Sequence, residues 1–246
     1  MRDLDQMDEG IKLITYYSDR CSGQNHNTII CMMFLHFINK CRQEDWQIVI
    51  RHKFMCSGHS HMEVDSAHAC IKKAKKRCTT NIETPRDWAV FISAIQRRVP
   101  FRVTEMEQKD FLAFKQLDGF LKKPKFYTDG EAIRFKNISF FEYRTASAPG
   151  TVYYKYELED SDYLSFNMLH HDAVSEPDLI PITDEPIPLS KERMEDLRKL
   201  MDFVTNKAYY TTLLQQLEPK KRGKKAKKEV ADNFENDMEF FSDYEF

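Results

Sequence analysis

The sequence predicts an α/β fold in which two parallel β-α units come first, a small antiparallel meander follows, and helices complete the chain. Short apolar runs at 11–17 and 46–55 are each followed by a turn and a helical pattern, as in parallel strands joined by crossover helices. Between 131 and 169 the apolar residues instead alternate with a period of two, which is typical of antiparallel strands.

The first unit is predicted from a strand, a turn and an apolar helix. The run at 11–17 has the composition of a covered parallel strand, and Asp19 follows where that strand should end, facing the ligand crevice of the sheet. Ser22 is expected to cap the next helix, whose first turn would hold the polar residues 24–27. The segment 28–38 is apolar nearly all round and too short to span a membrane, so it predicts a core helix.

The second unit repeats this order with a strand at 46–55, an exit loop at 56–60 and a helix that begins near Asp65. Parallel neighbouring strands joined by a right-handed crossover would bring Asp19 and Asp65 to the same edge of the sheet. Two carboxylates there could hold a divalent ion such as Mg²⁺ or Mn²⁺. Glu63 is a rival to Asp65, because it falls nearer the apolar stripe of the helix. Helix capping is the alternative role for either acid.

Four motifs stand in order along the chain. They are residues 17–27 (Tyr-Ser-Asp-Arg-Cys-Ser-Gly-Gln-Asn-His-Asn), Gly58-His59-Ser60 with Asp65, Thr84-Pro85-Arg86-Asp87-Trp88, and Pro188-Leu189-Ser190-Lys191-Glu192-Arg193. Together they resemble a transposon-derived domain family of unassigned function that is repeated in animal genomes. The resemblance covers roughly residues 11–217.

More distantly, the two β-α units resemble the later half of a ribonuclease-H-like transposase or integrase core. That resemblance implies that Asp19 matches the second metal-binding acid of such a core and Asp65 the third. The first acid lies on an earlier strand, whereas only ten residues precede Ile11. We therefore expect an N-terminally truncated copy that is catalytically inactive. An active copy would perform metal-dependent phosphodiester cleavage or strand transfer. The nucleic-acid contacts expected at the two β-to-α junctions are Gln24, Asn25, Asn27 and His59.

Two other site hypotheses remain open. In one, Asp19 is the first acid of a different nuclease arrangement that Glu105 or Asp110 completes. In the other, the cysteine and histidine side chains that crowd into the fifteen positions ending at Cys70 bind zinc. No Cys-x-x-Cys pair is present, and Cys31 and Cys70 lie on apolar helix faces, which favours core packing for both. All six cysteines are expected to be free thiols in a reducing compartment.

The middle of the chain predicts structural elements. A helix is expected from Pro85, capped by Thr84, followed by a strand at 101–106 and an amphipathic helix at 108–121. The meander would then turn at Pro149-Gly150. Four of its cations lie among aromatic residues, where nucleic-acid contact is one interpretation and a solvated sheet face is the commoner one. They are Arg134, Lys136, Arg144 and Lys155.

Five regions are therefore expected. They are an α/β core at 1–127, the meander at 128–170, an acidic proline-rich linker at 171–189, a helical segment at 190–217 and a disordered tail at 218–246. The tail holds seven basic residues among positions 220–228, and this run is typical of a nuclear import signal read by an import receptor. Non-specific nucleic-acid contact and solubility are the alternatives. The residues expected to carry import are Lys220, Lys221, Arg222, Lys224 and Lys225.

The function that these patterns favour is a transposon-derived, nuclease-like domain without activity that associates with nucleic acid in the nucleus. The alternative is a non-catalytic nuclear interaction module that uses its charged tails. A chain of 246 residues with 41% hydrophobic content can bury a sizeable core, and its charged N-terminus indicates neither secretion nor membrane insertion. The patterns select neither DNA nor RNA and no oligomeric state.

Overall fold

A computed structural model describes residues 12–55, 62–122, 132–172, 175–183 and 185–218. The chain divides into two compact units, one comprising 1–60 with 113–179 and the other 61–112 with 180–246. The prediction of a mixed α/β fold is confirmed. None of the described helices combines the length and the apolar character needed to cross a bilayer.

The first unit is organised around one five-stranded mixed sheet. Its strands are β1 (Lys12–Ser18), β2 (Ile48–Phe54), β3 (Phe140–Arg144), β4 (Thr151–Lys155) and β5 (Leu164–Asn167), in that spatial order. β1 and β2 are parallel neighbours, as predicted, and each later pair is antiparallel. The strands expected to form a separate meander therefore continue the sheet that the two β-α units begin.

Helix α1 (Thr28–Gln43) connects β1 to β2 and packs on one side of the sheet, which we call the inner face. Alternation along β2 sets this face, because Ile48, Ile50, His52 and Phe54 are buried while the residues between them are half-buried. Full burial of one such apolar side chain contributes about 1.5–3 kcal/mol. The core that results combines Cys31, Met32, Leu35 and Ile38 with Ile48, Ile50, Phe54, Phe141, Tyr143, Val152, Tyr154 and Phe166.

Strand β1 is not covered as the sequence predicted. Leu13, Tyr16 and Tyr17 are between 43% and 49% exposed. β1 lies at the end of the sheet order and pairs with β2 alone among the described strands. The apolar run located the strand correctly, but an apolar composition does not distinguish an edge strand from a central one.

The start of α1 also differs from the prediction. Asn27, not Ser22, is the N-cap, and its side-chain oxygen accepts the backbone N–H of Ile30 at 3.0 Å. Residues 22–25 form a turn ahead of the helix instead of its first turn. Asn caps as effectively as Ser, so the two candidates were equivalent in propensity and only the loop geometry separates them.

The second half of the sheet confirms the turn at Gly150. Its φ of 77° is left-handed, and an added Cβ would lie 2.7 Å from the Leu169 side chain. The alternating pattern predicted strands from 131 onward, but Phe135–Asn137 is a 3-10 turn and β3 begins only at Phe140. β4 ends at Lys155, although the alternating pattern continues beyond it.

The acidic proline-rich segment lacks helix and strand where it is described, as predicted. Its first part is fastened to α1. Glu176 accepts a hydrogen bond from Asn39 Nδ2 at 3.2 Å and lies 2.9 Å from His36 Nδ1, and Lys40 lies 3.9 Å from Asp178. Residues 175–179 therefore act as a strap on this helix.

The second unit is built from helices with few buried residues. They are α2 (Glu63–Arg77), α3 (Pro85–Ser93), α4 (Lys191–Leu200) and α5 (Lys207–Leu217). The predicted caps are confirmed: Thr84 accepts from Asp87 N–H, and Ser190 accepts from Arg193 N–H. Within these helices only Ala89 and Met194 are buried, and the predicted stripe of α2 is no more than half-buried.

A carboxylate joins two parts of the second unit. Glu83 accepts hydrogen bonds from the backbone N–H groups of Thr205 at 2.9 Å and Asn206 at 2.8 Å, and the Thr205 hydroxyl also donates to it. Several hydrogen bonds lower the pKa of Glu83 to about 2, and the one from the Thr205 hydroxyl contributes most. Tyr210 completes the contact by donating to the Glu83 carbonyl at 2.9 Å.

Two elements predicted in this region are wrong. Residues 101–106 form no strand, and the helix expected at 108–121 is two short 3-10 turns, Gln108–Asp110 and Phe114–Gly119. Leu112 instead forms an isolated bridge with Pro181, and Ile182 N–H donates to the Phe111 carbonyl at 2.8 Å. This extended pairing interrupts the helical pattern.

Candidate functional site

The loop after β1 is organised by the carboxylate predicted to bind metal. Asp19 is exposed, and its Oδ1 accepts the Cys21 backbone N–H at 3.2 Å and Asn25 Nδ2 at 2.7 Å. Short acidic side chains commonly stabilise turns in this way. The structure thus brings Asp19 and Asn25 together and gives both a local structural role.

Of the other loop residues predicted to contact nucleic acid, Asn27 uses its side chain within the loop, whereas Gln24 is exposed. Asn27 caps α1 and donates through Nδ2 to the carbonyls of Ser22 at 3.1 Å and Gln24 at 3.3 Å. The Gln24 side chain is exposed. Among these amides, Gln24 is therefore the one best placed to contact a ligand.

The remaining acids of the predicted metal site belong to the second unit. Asp65 Oδ2 accepts the Met62 backbone N–H at 2.8 Å, so it caps α2, and Glu63 is the exposed first residue of that helix. His59 and the loop around it lie outside the described residues, as does the run 220–225. No group of three His, Cys, Asp or Glu side chains within the described ranges could hold a metal ion. Convergence of Asp19 with Asp65 or Glu63 stays a prediction.

The described cysteines are free thiols, and two of them belong to the core. Cys31 and Cys41 are buried in α1, whereas Cys70 is half-buried in α2. Burial raises the pKa of Cys31 to about 12, so this thiol stays protonated at neutral pH. Packing is accordingly the role of the α1 cysteines.

A buried polar group lies on the inner face at the end of β1. Ser18 Oγ is 2.7 Å from His52 Nε2 and 3.0 Å from the Asp19 carbonyl. If the single hydroxyl proton goes to that carbonyl, His52 donates through Nε2–H. The other nitrogen, Nδ1, is buried without a hydrogen-bond partner in the described structure.

Both inner-face histidines are kept neutral. Burial, with a smaller contribution from His26, lowers the pKa of His52 to about 4. Burial also lowers the pKa of His26, whose Nε2 lies 3.0 Å from the Ile138 carbonyl. Aromatic rings enclose both side chains, and each is nearly inaccessible to solvent. The Ser18–His52 pair has neither an acid at Nδ1 nor access for a substrate, so it is structural.

The opposite side of the sheet, which we call the outer face, combines cations with aromatic rings. Strand register places side chains in two rows across it. One row is Thr15, Arg51, Glu142, Tyr153 and Ser165, and the next is Tyr17, Lys53, Phe140 and Lys155. Arg144 stands beside the first row, paired with Val49. Tyr163, which precedes β5, packs over the same side against Phe140 and Tyr153.

Three of the outer-face cations, Arg144, Lys155 and Lys53, lie over aromatic rings. Arg144 Cζ is 4.1 Å from the Tyr153 ring centre and 5.2 Å from that of Tyr163. Lys155 Nζ is 4.3 Å from the Tyr163 ring centre, and Lys53 Nζ is 5.7 Å from that of Tyr17. Cation–π contacts of this kind hold long side chains in place while leaving their charge near solvent.

Glu142 is the one carboxylate in these rows and it is buried, with 2% of its side chain exposed. Oε2 accepts Arg51 Nε at 2.6 Å and the Tyr163 hydroxyl at 3.3 Å, and Oε1 accepts Arg144 Nε at 2.6 Å. Arg144 Nη2 also pairs with Oε1. The hydrogen bond to Glu142 raises the pKa of Arg51. A buried carboxylate is tolerated here because two guanidinium groups share it.

A cavity of about 440 Å³ opens beside this cluster. Gln47, Val49, Thr145 and Ala146 line it together with Arg51, Glu142, Arg144 and Tyr163. Its volume falls within the range of small-molecule sites, and its walls combine an apolar floor with a few convergent polar groups. The outer face therefore has, beside this cluster, a cavity of a size that suits a small ligand.

Sequence reasoning identified only part of this surface. Arg144 and Lys155 were singled out by their aromatic neighbours, whereas Arg51, Glu142 and Tyr163 were missed. Alternation of Arg51 with buried residues along β2 indicated an outward side chain. Its contact with Glu142 depends on pairing between strands that lie 91 positions apart at this point.

Comparison of the chain with protein-family models, curated proteins and solved structures finds no match.

Proposed function

We propose that this chain is a transposon-derived, nuclease-like domain that has no strong catalytic activity and binds single-stranded nucleic acid on the outer face of its sheet. The observation that carries the proposal is the combination of Arg51, Lys53, Arg144 and Lys155 with partly exposed aromatic rings on one side of the sheet. Cations attract phosphates and rings stack on bases, which is how single strands are bound without strong sequence preference.

Binding is tested by fluorescence anisotropy with labelled single-stranded DNA and RNA of about ten nucleotides, a length in the range that one such platform binds. The basic run of the tail would bind the same probes. The measurements therefore use a full-length background in which Lys220, Lys221, Arg222, Lys224 and Lys225 are alanine. We expect binding to persist in this background and to weaken as salt concentration rises.

Two variants assign the binding to the outer face. Lys53→Ala and Lys155→Ala should each reduce the slope of log affinity against log salt by about 0.7, the value for one phosphate contact on a single strand. Lys72→Ala with Lys73→Ala, on the exposed side of α2, is the matched control and should change neither slope nor affinity. Equal effects of the control and the outer-face variants would overturn the proposal, as would loss of all binding when the tail is neutralised.

A stacking variant separates this proposal from simple charge attraction. Tyr17 is about half exposed at the edge of the outer face, and its replacement by alanine removes a ring but no charge. The loss of stacking should weaken binding by about 1–3 kcal/mol with the salt slope unchanged. An unchanged affinity would mean that the surface acts only as a charge patch.

The absence of strong activity is a separate part of the proposal. It is supported by the capping role of Asp65 and the turn-forming role of Asp19. Incubation of the chain with DNA or RNA and either Mg²⁺ or Mn²⁺ should give no robust cleavage. Cleavage that Asp19→Asn abolishes would contradict this and support an arrangement in which Asp19 is the first acid.

Nuclear location is proposed from the basic run alone. Five alanines at Lys220, Lys221, Arg222, Lys224 and Lys225 should abolish nuclear accumulation of a fluorescent fusion, because an import receptor would lose its charged contacts. Lys72→Ala with Lys73→Ala is again the control. Unchanged accumulation of the five-alanine variant would leave phosphate contact or solubility as the role of the run.

A further inference from the structure

The cluster around Glu142 holds more positive than negative charge. Two guanidinium groups face a single carboxylate, so one positive charge remains uncompensated within the cluster. Arg51 is 37% exposed and Arg144 33% exposed, whereas the carboxylate between them is almost inaccessible. Solvent, or a ligand, therefore meets the cations and not the acid.

Glu142 fixes the orientation of both guanidinium groups. Arg51 uses Nε for this contact, and Arg144 uses Nε and Nη2. A guanidinium carries five N–H donors in a rigid planar fork, so several donors of each group remain. Within the described part of the chain, Glu142 is the hydrogen-bond partner of both arginines, and no second acceptor competes for those donors. The Tyr153 ring, 4.1 Å from Arg144 Cζ, further restricts that side chain.

Remaining donors on two oriented guanidinium groups suit a phosphate. Phosphate oxygens accept paired N–H bonds from arginine, and these charge-assisted bonds are stronger than those between neutral groups. Because the donors are already positioned, less side-chain entropy is lost when a phosphate binds. The adjoining cavity of about 440 Å³ has room for the sugar and base attached to that phosphate.

We propose that Arg51 and Arg144, positioned by Glu142, form a nucleotide phosphate site at the mouth of this cavity. The inference rests on the proposed binding of nucleic acid by the outer face, and it fixes where one phosphate of the strand lies. Glu142 is a positioning residue and does not contact the phosphate. A free nucleoside monophosphate presents the same chemistry, so both sources are tested.

The first experiment titrates the tail-neutralised full chain with adenosine 5′-monophosphate, adenosine and inorganic phosphate by isothermal calorimetry. The monophosphate should bind, and adenosine should bind at least about tenfold more weakly, because the charge-assisted bonds are lost. Equal affinity for adenosine and its monophosphate would overturn the phosphate site. An absence of monophosphate binding would overturn it as well.

Three variants identify the residues. Arg51→Lys and Arg144→Lys keep the charge but lose the planar fork, and each should weaken monophosphate binding about tenfold. Glu142→Gln should weaken it less and should also weaken the preference for the monophosphate over adenosine. Lys72→Ala with Lys73→Ala, on the exposed side of α2, is the control and should leave monophosphate affinity unchanged. Unchanged affinity in both arginine variants would overturn the assignment.

A fourth variant covers the case in which the cluster variants fail to fold. Ala146 is exposed, lines the cavity and takes no part in the hydrogen bonds that hold Glu142, so Ala146→Leu fills space and keeps those hydrogen bonds. It should reduce binding of the monophosphate more than that of inorganic phosphate. Equal binding of the monophosphate to this variant and to the parent chain would exclude the cavity.

The same variants are then measured with the single-stranded probes. If strands bind but the monophosphate does not, the phosphate site is wrong and the proposed function stands. If the monophosphate binds and strands do not, the site stands as a free-nucleotide site and the proposed function fails. If neither binds, both fail.

Discussion

On the inner face of the sheet His52 is buried beside Ser18, and on the outer face Glu142 is buried between Arg51 and Arg144. The histidine is surrounded by rings, and burial lowers its pKa to about 4, so it is neutral. The carboxylate receives hydrogen bonds from two guanidinium groups and the Tyr163 hydroxyl. An isolated buried charge is costly, so the inner face removes the charge whereas the outer face pairs it.

The difference follows from what each side of the sheet contacts. α1 covers the inner face, and long cationic side chains there would be cut off from water. Arg51 and Arg144 keep about a third of their side-chain surface in solvent, whereas the carboxylate between them is almost inaccessible. One strand can therefore carry His52 and Arg51 next to each other, because successive side chains of a strand point to opposite faces of the sheet.

The largest expected effect on the free energy of unfolding comes from creating a cavity in the core on the inner face. Phe141→Ala removes a ring that is fully buried in the core and should destabilise the first unit by about 3–5 kcal/mol. Urea unfolding followed by Trp46 fluorescence in a Trp88→Phe background measures this, because Trp46 packs on the same core. Leu13→Ala, at a half-exposed position, should change stability by no more than about 0.5 kcal/mol. Similar losses in the two variants would mean that the faces are not packed differently.

The next effect depends on pH. The folded pKa of His52 is lowered from 6.5 to about 4, so the unfolded chain binds more protons between these values. The contribution of the neutral histidine is present above pH 6.5 and is lost as pH falls toward 4, by roughly 3 kcal/mol in total. His52→Gln should flatten this dependence in the Trp46 assay, and His171→Gln, at an exposed position, should not. An unchanged slope for His52→Gln would show that other groups control acid stability.

A smaller loss is expected on the outer face. Glu142→Gln leaves the two arginines without their shared negative charge, but both are about one-third exposed and water can solvate them. We expect a loss of about 1–2 kcal/mol by urea unfolding at neutral pH. Asp118→Asn, an exposed acid in the same unit, is the control. A loss of stability as large as that of Phe141→Ala would mean that water does not solvate the two arginines when the carboxylate is neutralised.

The smallest effect tests a single neutral hydrogen bond. Tyr163→Phe removes the hydroxyl that lies 3.3 Å from Glu142 and keeps the ring under Lys155 and Arg144. The expected loss is about 0.5 kcal/mol, since the two arginine contacts remain. A loss above that of Glu142→Gln would contradict the view that charge, and not the hydroxyl, satisfies the carboxylate.

Local patterns were enough to predict the elements with their own boundary residues. The Thr84 and Ser190 caps and the Gly150 turn depend on a few adjacent residues, and the parallel pair β1 and β2 follows from two consecutive strands joined by one helix. The helix expected at 108–121 failed because Leu112 pairs with Pro181, which no local pattern contains. The strand at 101–106 has the right composition, but composition alone does not supply a pairing neighbour.

The candidate site was harder to predict for the same reason. Asp19 and Asn25 contact each other within one loop, and Gln24 in that loop is exposed. The phosphate-binding cluster joins β2 to β3, and its residues become neighbours only through the register of that pairing. Aromatic surroundings identified Arg144 and Lys155, but nothing near Glu142 in sequence indicated that it would be buried with Arg51.

During translation, β2 leaves the ribosome well before its partner strand β3 has been made. Ile48 and Thr145, which hydrogen-bond to each other at the end of this pair, are 97 positions apart. A ribosome adding about 5–20 residues per second needs about 5–20 s to cover that distance. During that interval β1, α1 and β2 can meet locally, while β2 lacks the strand that will cover its other edge. The nascent chain therefore exposes one unpaired edge of β2 for seconds, and an exposed strand edge favours aggregation.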